Sequence, residues 1–187
     1  MITIKPLQTD QAQLFTEYFD GLDFSHAEHW AGCFCQYYLS GCTPEEWEQR
    51  SASQNRELAL LNIRSGRMTG YLAFEDQEVV GWCRTIDMLD APNMANLPEL
   101  PTARGEAGAV VCFVVHPRTR GQGLAGQLLG VAVEGFRQDG YQKVYGFPFE
   151  SKEHPQRQYL GTAGMFERLG FSRQSASENQ AVYCLEF

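Results

Sequence analysis

The sequence predicts a single α/β domain, and three stretches carry that prediction. "AVVCFVVHP" (109–117) is a nearly continuous apolar run of strand formers, as in a strand buried on both faces, and Pro117 ends it. "RGQGLAG" (120–126) follows as a glycine-rich turn, after which Leu124, Leu128, Val131, Ala132 and Phe136 recur at helical spacing until Gly140. "TGYLAFEDQEVVGWCRTID" (69–87) holds two runs of strand formers joined by Asp76-Gln77, the pattern of an antiparallel hairpin.

In chain order, Ile2 to Pro6 alternates apolar and polar residues and predicts a first strand. A helix follows over about 11–19, capped by Thr9 or Asp10. Residues 20–42 concentrate aromatic and cysteine side chains, the composition expected of a substrate wall. Thr43-Pro44-Glu45-Glu46 is a capping box with proline at the first helical position, and it opens a helix that runs through Leu58, Leu61 and Ile63 to about Gly66. The hairpin comes next. Residues 88–108 hold Pro92, Pro98 and Pro101 with little periodicity, so they predict a long functional loop. Beyond the glycine turn and its helix, "KVYGFP" predicts a strand, "GTAGMFERLG" a helix and "AVYCLEF" a last strand.

Composition narrows the function classes. At 187 residues the chain fits one domain spanning 1–187, with no internal repeat or linker. A net charge of -8 argues against a nucleic-acid binder, which needs a basic face. No cationic segment leads into a long apolar run and no stretch approaches 18 apolar residues, so a cytoplasmic protein without membrane contact is expected. In that compartment the six cysteines stay thiols. Cys33, Cys35 and Cys42, with His26 and His29 upstream, match zinc-ligand spacing poorly, so no metal is expected and the thiols read as buried or pocket-lining.

Gly121, Gly123 and Gly126 spell G-x-G-x-x-G, which fits a nicotinamide or flavin site as well as other diphosphates. A dinucleotide turn normally follows the first strand, with an acidic residue at the tip of the next one. Here the turn lies two-thirds along the chain, and "KVYGF" runs into Phe147-Pro148, with Glu150 beyond the proline. Amides at a helix start attract a diphosphate through the helix dipole, Gly121 and Gly123 admit it without a Cβ, and Arg118 and Arg120 can neutralise it.

Val115-x-Pro117 followed by Arg120-Gly121-Gln122-Gly123-Leu124-Ala125 resembles the acetyl-CoA signature of the GNAT superfamily of N-acetyltransferases, Q/R-x-x-G-x-G/A. The resemblance extends over most of 54–171, through "VGWC", "VVCFVVHP" and "YLGTAGMFERLGF", and it is similar to a bacterial branch of that family. It implies a central mixed, mostly antiparallel sheet, splayed at the coenzyme strand, with helices on both faces. It implies acetyl-CoA as cosubstrate, held by Phe113, Val114, Val115, Arg118, Arg120, Gly121, Gln122, Gly123, Leu124 and Ala125, with the pantetheine arm added along Phe113 and Val115 like a strand. The expected reaction is direct attack of a primary amine, of a small molecule, on the thioester in a ternary complex. A non-catalytic coenzyme-binding module is the alternative, a nicotinamide oxidoreductase a remote third, and a homodimer stays open.

Relatives place a tyrosine four residues before the glycine of "LGF", where this chain has Phe166. Tyr159 is the substitute acid, with Cys112 next and Glu150 and His154 behind. Trp30, Phe34, Tyr37 and Trp82 are assigned to the acceptor side; Trp82 and Arg84 should share one strand face, opposite Cys83.

Overall fold

The computed structural model describes residues 1–25, 27–92, 101–148, 159–177 and 180–187, and of these the side chains at 29, 175–177 and 180 are left aside. Strand β1 (Ile2–Pro6) leads through a 3-10 turn (Thr9–Gln11) into α1 (Ala12–Asp20). The turn is capped by Gln8 rather than by Thr9 or Asp10: its amide pairs with Gln11 Oε1 at 3.0 Å, a box written with two glutamines instead of Ser/Thr and Glu. Two single-turn helices, α2 (Glu28–Ala31) and α3 (Tyr37–Ser40), cross the aromatic and cysteine segment.

The helix expected over 43–66 is two. The Thr43/Glu46 capping box forms, but its helix α4 (Pro44–Glu48) is brief. Ser51 is extended (φ −77°, ψ 155°), and with Gln54 it makes a second capping box that opens α5 (Ala52–Arg64). Although Gln49 and Arg50 are good helix formers, the Ser51 cap directly after them outcompetes helix continuation. The inward stripe of α5 also differs from the leucine pattern: Asn55, Ala59, Asn62 and Ile63 are buried while Leu61 is exposed.

Strands β2 (Thr69–Glu75) and β3 (Glu78–Asp87) form the expected hairpin, with Asp76 and Gln77 both at positive φ. A 3-10 turn (Met88–Asp90) opens the proline-rich segment, of which 93–100, including Pro98, lie outside the described residues. Then come β4 (Ala107–Val115), α6 (Leu124–Gln138), β5 (Lys143–Gly146), α7 (Ala163–Glu167), β6 (Ser172–Ser177) and β7 (Gln180–Glu186). The seven strands make one sheet in the order β1-β2-β3-β4-β5-β7-β6, antiparallel except where β4 meets β5.

Helices cover both faces. Leu124, Leu128, Leu129 and Phe136 of α6 pack on Val80, Cys83, Val110 and Phe113. On the other face, Phe15 and Phe19 of α1 and Ile63 of α5 pack on Leu72, Trp82, Cys112 and Val114. Strand alternation assigns the sides: Trp82 goes with α1, Cys83 with α6. Among the described residues no helix is long and apolar enough to cross a membrane.

Candidate active site

The site is a parting in the sheet. β4 pairs with β3 along most of its length but with β5 only over Ala107–Val110. A register shift at Arg84/Thr85 leaves Val111 as an extra residue on β4, a bulge that bends the strand at the parting. Beyond it, the His116 amide donates to the Val80 carbonyl at 2.9 Å. By alternation, Val114 and Cys112 also turn their main-chain groups toward β3, and Phe113 and Val115 turn theirs to the open edge. Those are the two residues expected to take an added strand.

Below the open edge lies a cavity of about 570 Å³ bordered by the glycine loop. Gly123 is the N-cap of α6 at φ 80° and supplies no side-chain cap, so the first amides of this fifteen-residue helix have no partner within it. Gly121 is also left-handed (φ 75°), and a Cβ on either glycine would meet nothing within 4 Å. Their need is therefore conformational: this loop path suits glycine, and it leaves the amides uncovered. Thr119, buried under the loop, anchors it by donating to the Val80 and His116 carbonyls at 3.3 and 3.1 Å. The His116 ring caps the preceding turn, Nδ1 accepting from the Arg118 amide at 3.2 Å; burial and the nearby Arg118 and Arg120 hold its pKa below the usual histidine value.

Arg120 borders this cavity, with Nε donating to the Val115 carbonyl at 3.0 Å. Arg118 does not. Its guanidinium lies 2.7 Å from Glu78 and 3.5 Å from Glu75 on the hairpin, so the expected phosphate partner is already paired. Gln122 is likewise turned into the loop, where Nε2 donates to the Arg118 carbonyl at 3.0 Å. Arg168, at the end of α7, borders the cavity and supplies the second cation. It was invisible in the motif because it arrives from 45 residues downstream of Gly123.

A second cavity, of about 200 Å³, opens on the α1 side of β4. Trp30 and Val114 border both cavities, so the two spaces meet across the parting strand. The second is walled by Trp30, Tyr37, Tyr38, Tyr159, Cys35 and Cys112. Of the four residues assigned to the acceptor side, Trp30 and Tyr37 border this cavity. Phe34 and Trp82 stand behind the wall: Phe34 stacks on Phe19 at 5.6 Å, and the enclosed Trp82 packs edge-on to Phe15 at 4.9 Å. Neither borders the cavity, so both act on it only through neighbours.

The Tyr159 ring meets Trp30 edge-on at 5.4 Å, and its hydroxyl hydrogen-bonds that of Tyr38. Burial, then Tyr159, push the Tyr38 phenol well above its ordinary value, so Tyr38 stays protonated beside Tyr159. Tyr18 donates its hydroxyl to the Val114 carbonyl at 3.0 Å and braces the strand at the parting. Phe166, at the position where a tyrosine was expected, is fully buried among Phe113, Phe171 and Tyr183 and reaches neither cavity. Glu150, His154 and His26 lie outside the described residues, as does the side chain of His29. Among the described residues no three His, Cys, Asp or Glu side chains form a metal-holding group.

Two buried asparagines of α5 hold the cysteine segment in place. Asn55 Nδ2 donates to the Gly32 carbonyl at 2.7 Å, and Asn62 Nδ2 to Gln36 Oε1 at 2.7 Å. Gln36 in turn donates to the Phe34 carbonyl at 2.9 Å. Phe34 and Cys35 are thereby kept at φ 44° and 54°, a left-handed pair without a glycine.

Comparison with known proteins agrees with this geometry. The model of the acetyltransferase (GNAT) family matches residues 26–171. No curated protein matches the sequence significantly. Among solved structures, an aminoglycoside acetyltransferase in complex with coenzyme A superposes with a TM-score of 0.62 at 15% identity, covering 100% of this chain and 95% of the other. A GNAT-family acetyltransferase from Desulfovibrio desulfuricans gives 0.58 at 16% identity, covering 100% and 99%. The PaiA N-acetyltransferase of Thermoplasma acidophilum, also with coenzyme A, gives 0.56 at 12% identity, covering 100% and 99%. At these identities the likeness is one of fold.

Proposed function

This chain belongs to the acetyltransferase (GNAT) family, and from that premise we propose that it moves an acetyl group from acetyl-CoA to a primary amine of a small molecule, both substrates being bound at once. The observation that carries this reading is the meeting of two cavities at Val114 and Trp30: one is lined by helix-start amides and arginines, the other by aromatic rings and thiols.

The donor-side residues fit a diphosphate. Unpaired amides at the start of α6 present partial positive charge, and Arg120 and Arg168 add full charges at the rim. Bound there, acetyl-CoA supplies an acyl group already activated as a thioester. The open-edge amides of Phe113 and Val115 are suited to pair with an extended amide chain and to donate to a developing oxyanion. On the acceptor side, Trp30 and Tyr37 offer ring faces that attract an ammonium group before it loses its proton. Tyr159, its hydroxyl bonded to Tyr38, is the group placed to give a proton to a departing thiolate. Cys112, whose thiol is pushed well above the ordinary range by its hydrogen bond to Cys35 and by burial, stays neutral and serves as wall.

Calorimetry with acetyl-CoA, followed by thiol release across a panel of amines, tests the reading. Binding at micromolar concentration, lost in Arg120→Glu, together with amine-dependent thiol release, is the expected result. Binding without release on any amine would favour a non-catalytic module, and heat from a nicotinamide dinucleotide but none from acetyl-CoA would refute both.

A further inference from the structure

Side chains of two neighbouring strands, β3 and β4, converge on Cys35. Cys35 Sγ lies 3.2 Å from Cys112 Sγ, the two side chains buried and unbonded. Trp82 Nε1 donates to the same sulfur at 3.3 Å, and Arg84 Nη1 donates to the Cys35 carbonyl at 3.1 Å. Arg84 is fully enclosed, and its Nε and Nη2 have no hydrogen-bond partner among the described residues. An enclosed guanidinium with idle donors needs a counter-charge. Burial lowers the Arg84 pKa, and a Cys35 thiolate is foremost among the groups that raise it again. Burial opposes ionisation of Cys35, but the Cys112 thiol, Arg84 and Trp82 outweigh it and hold the Cys35 pKa below the ordinary cysteine value.

The backbone is strained to present this thiol. Positive φ at Phe34 and Cys35 is unfavourable for residues with a Cβ, and the Asn62–Gln36–Phe34 chain of hydrogen bonds maintains it. Such strain recurs where a side chain must be aimed. Here it aims Cys35 at Cys112 across 77 residues of sequence, in the wall of the smaller cavity.

We propose that Cys35 and Cys112 are a peroxide-reactive thiol pair that closes to a disulfide in the wall of the smaller cavity. The Cys35 thiolate attacks one oxygen of a hydroperoxide; the O–O bond breaks, the departing oxygen leaves as an alcohol or water after taking a proton, and Cys35 becomes a sulfenic acid. The Cys112 sulfur then attacks Cys35 Sγ, water leaves, and an S–S bond forms. Two thiols lose two electrons, and the hydroperoxide gains them. A movement of about 1 Å brings the sulfurs to bonding distance. The cavity of about 200 Å³ admits hydrogen peroxide but not a glutathione-sized oxidant. Oxidation also removes the counter-charge of Arg84, which stays enclosed, so the bond is readily reduced and the modification reversible.

The test uses the full chain, reduced and then treated with one equivalent of hydrogen peroxide. Non-reducing peptide mapping after alkylation should find one Cys35–Cys112 cross-link, a mass lower by two hydrogens, and four of the six cysteines still alkylated, all reversed by dithiothreitol. Cys112→Ser should leave Cys35 as a sulfenic acid that dimedone traps, Cys33→Ser should leave the cross-link intact, and Arg84→Met should slow its formation about tenfold. The wild-type map decides the matter even if a variant fails to fold. Cross-linking of Cys33 to Cys35 or Cys42 instead, or persistence of all six thiols, would overturn the pair. The effect on turnover alone rests on the acetyl-transfer reading: the bond alters the acceptor wall, so the oxidised chain should bind acetyl-CoA as before and acetylate amines more slowly, and a disulfide with turnover unchanged would overturn that consequence. Absence of any acetyl-CoA binding would count against that reading and leave the mass result to stand by itself.

Discussion

The two cavities that meet at Val114 are built on opposite principles. The larger is a main-chain site: two left-handed glycines, uncapped amides at the start of α6 and the open edge of β4, with Arg120 and Arg168 at the rim. The smaller is a side-chain site in which Trp30 and Cys35, Cys112, and Tyr159 converge from three separate segments, backed by the enclosed Trp82 and Arg84. A main-chain site is specified by a few consecutive residues and can be altered without touching the core. A side-chain site shares its atoms with the core, so its chemistry and the stability of the fold change together.

Trp82→Ala should break the side-chain site hardest. Trp82 is fully buried, packs on Phe15 and supports Cys35, so its removal should cost about 3–5 kcal/mol of stability, read as a drop in the urea midpoint. The fraction that stays folded should still bind acetyl-CoA with unchanged affinity. A variant as stable as the wild type would show that the wall is not part of the core.

Tyr159→Phe tests the wall without unfolding it. The ring keeps its contact with Trp30 while the buried Tyr38 hydroxyl loses its partner, so stability should fall by only about 1–2 kcal/mol while kcat falls about a hundredfold, with coenzyme affinity unaltered. Equal kcat in the two proteins would mean that the thiolate leaves unaided.

Gly123→Ala is the reciprocal experiment. At φ 80° an alanine costs about 1–2 kcal/mol, and its methyl enters the space beside the amides, so affinity for acetyl-CoA should fall about tenfold on calorimetry. Gly140→Ala supplies the control: Gly140 has φ 81° with equally open surroundings but sits at the far end of α6, so the same strain should leave affinity intact. A loss of affinity in both would trace the effect to destabilised α6 and not to the cradle.

The same contrast decides what could be read from the sequence. β1, the hairpin, β4, α6 and the glycine loop were legible because their patterns are local: alternation, a continuous apolar run, a helical stripe, glycines at fixed offsets. β6 was not, since Ser172–Ser177 is polar and becomes a strand only by pairing with β7. The break between α4 and α5 turned on one serine cap inside a segment of good helix formers. At the site, the motif named Arg118 and Arg120 together, yet Arg118 pairs with Glu75 and Glu78 of the hairpin, 40 or more residues away, and it is Arg168 that borders the cavity with Arg120. The Cys35–Cys112 pair left no sequence signal, because what joins them is the inward turn of Asn55 and Asn62 on a helix whose leucines suggested another face.

The smallest effect expected is one of pH, and it belongs to the main-chain site. His116 caps the turn into the glycine loop through Nδ1, which must be unprotonated to accept the Arg118 amide. Its folded pKa lies below the unfolded value, set first by burial and then by Arg118 and Arg120. In the interval between the two values the unfolded chain holds more protons than the folded one, so stability rises with pH there. The contribution is complete above the unfolded value of about 6.5 and is lost as pH falls through the folded one. Urea midpoints measured from about pH 7.5 down to about pH 5.5 should therefore decline more steeply in the wild type than in His116→Asn, whose amide can cap the turn without titrating. A bound diphosphate would offset Arg120, which borders the cavity, and raise the histidine pKa, so the wild-type decline should flatten when acetyl-CoA is present, and the asparagine variant should show no such change. Parallel curves for the two proteins would locate the acid sensitivity elsewhere in the fold.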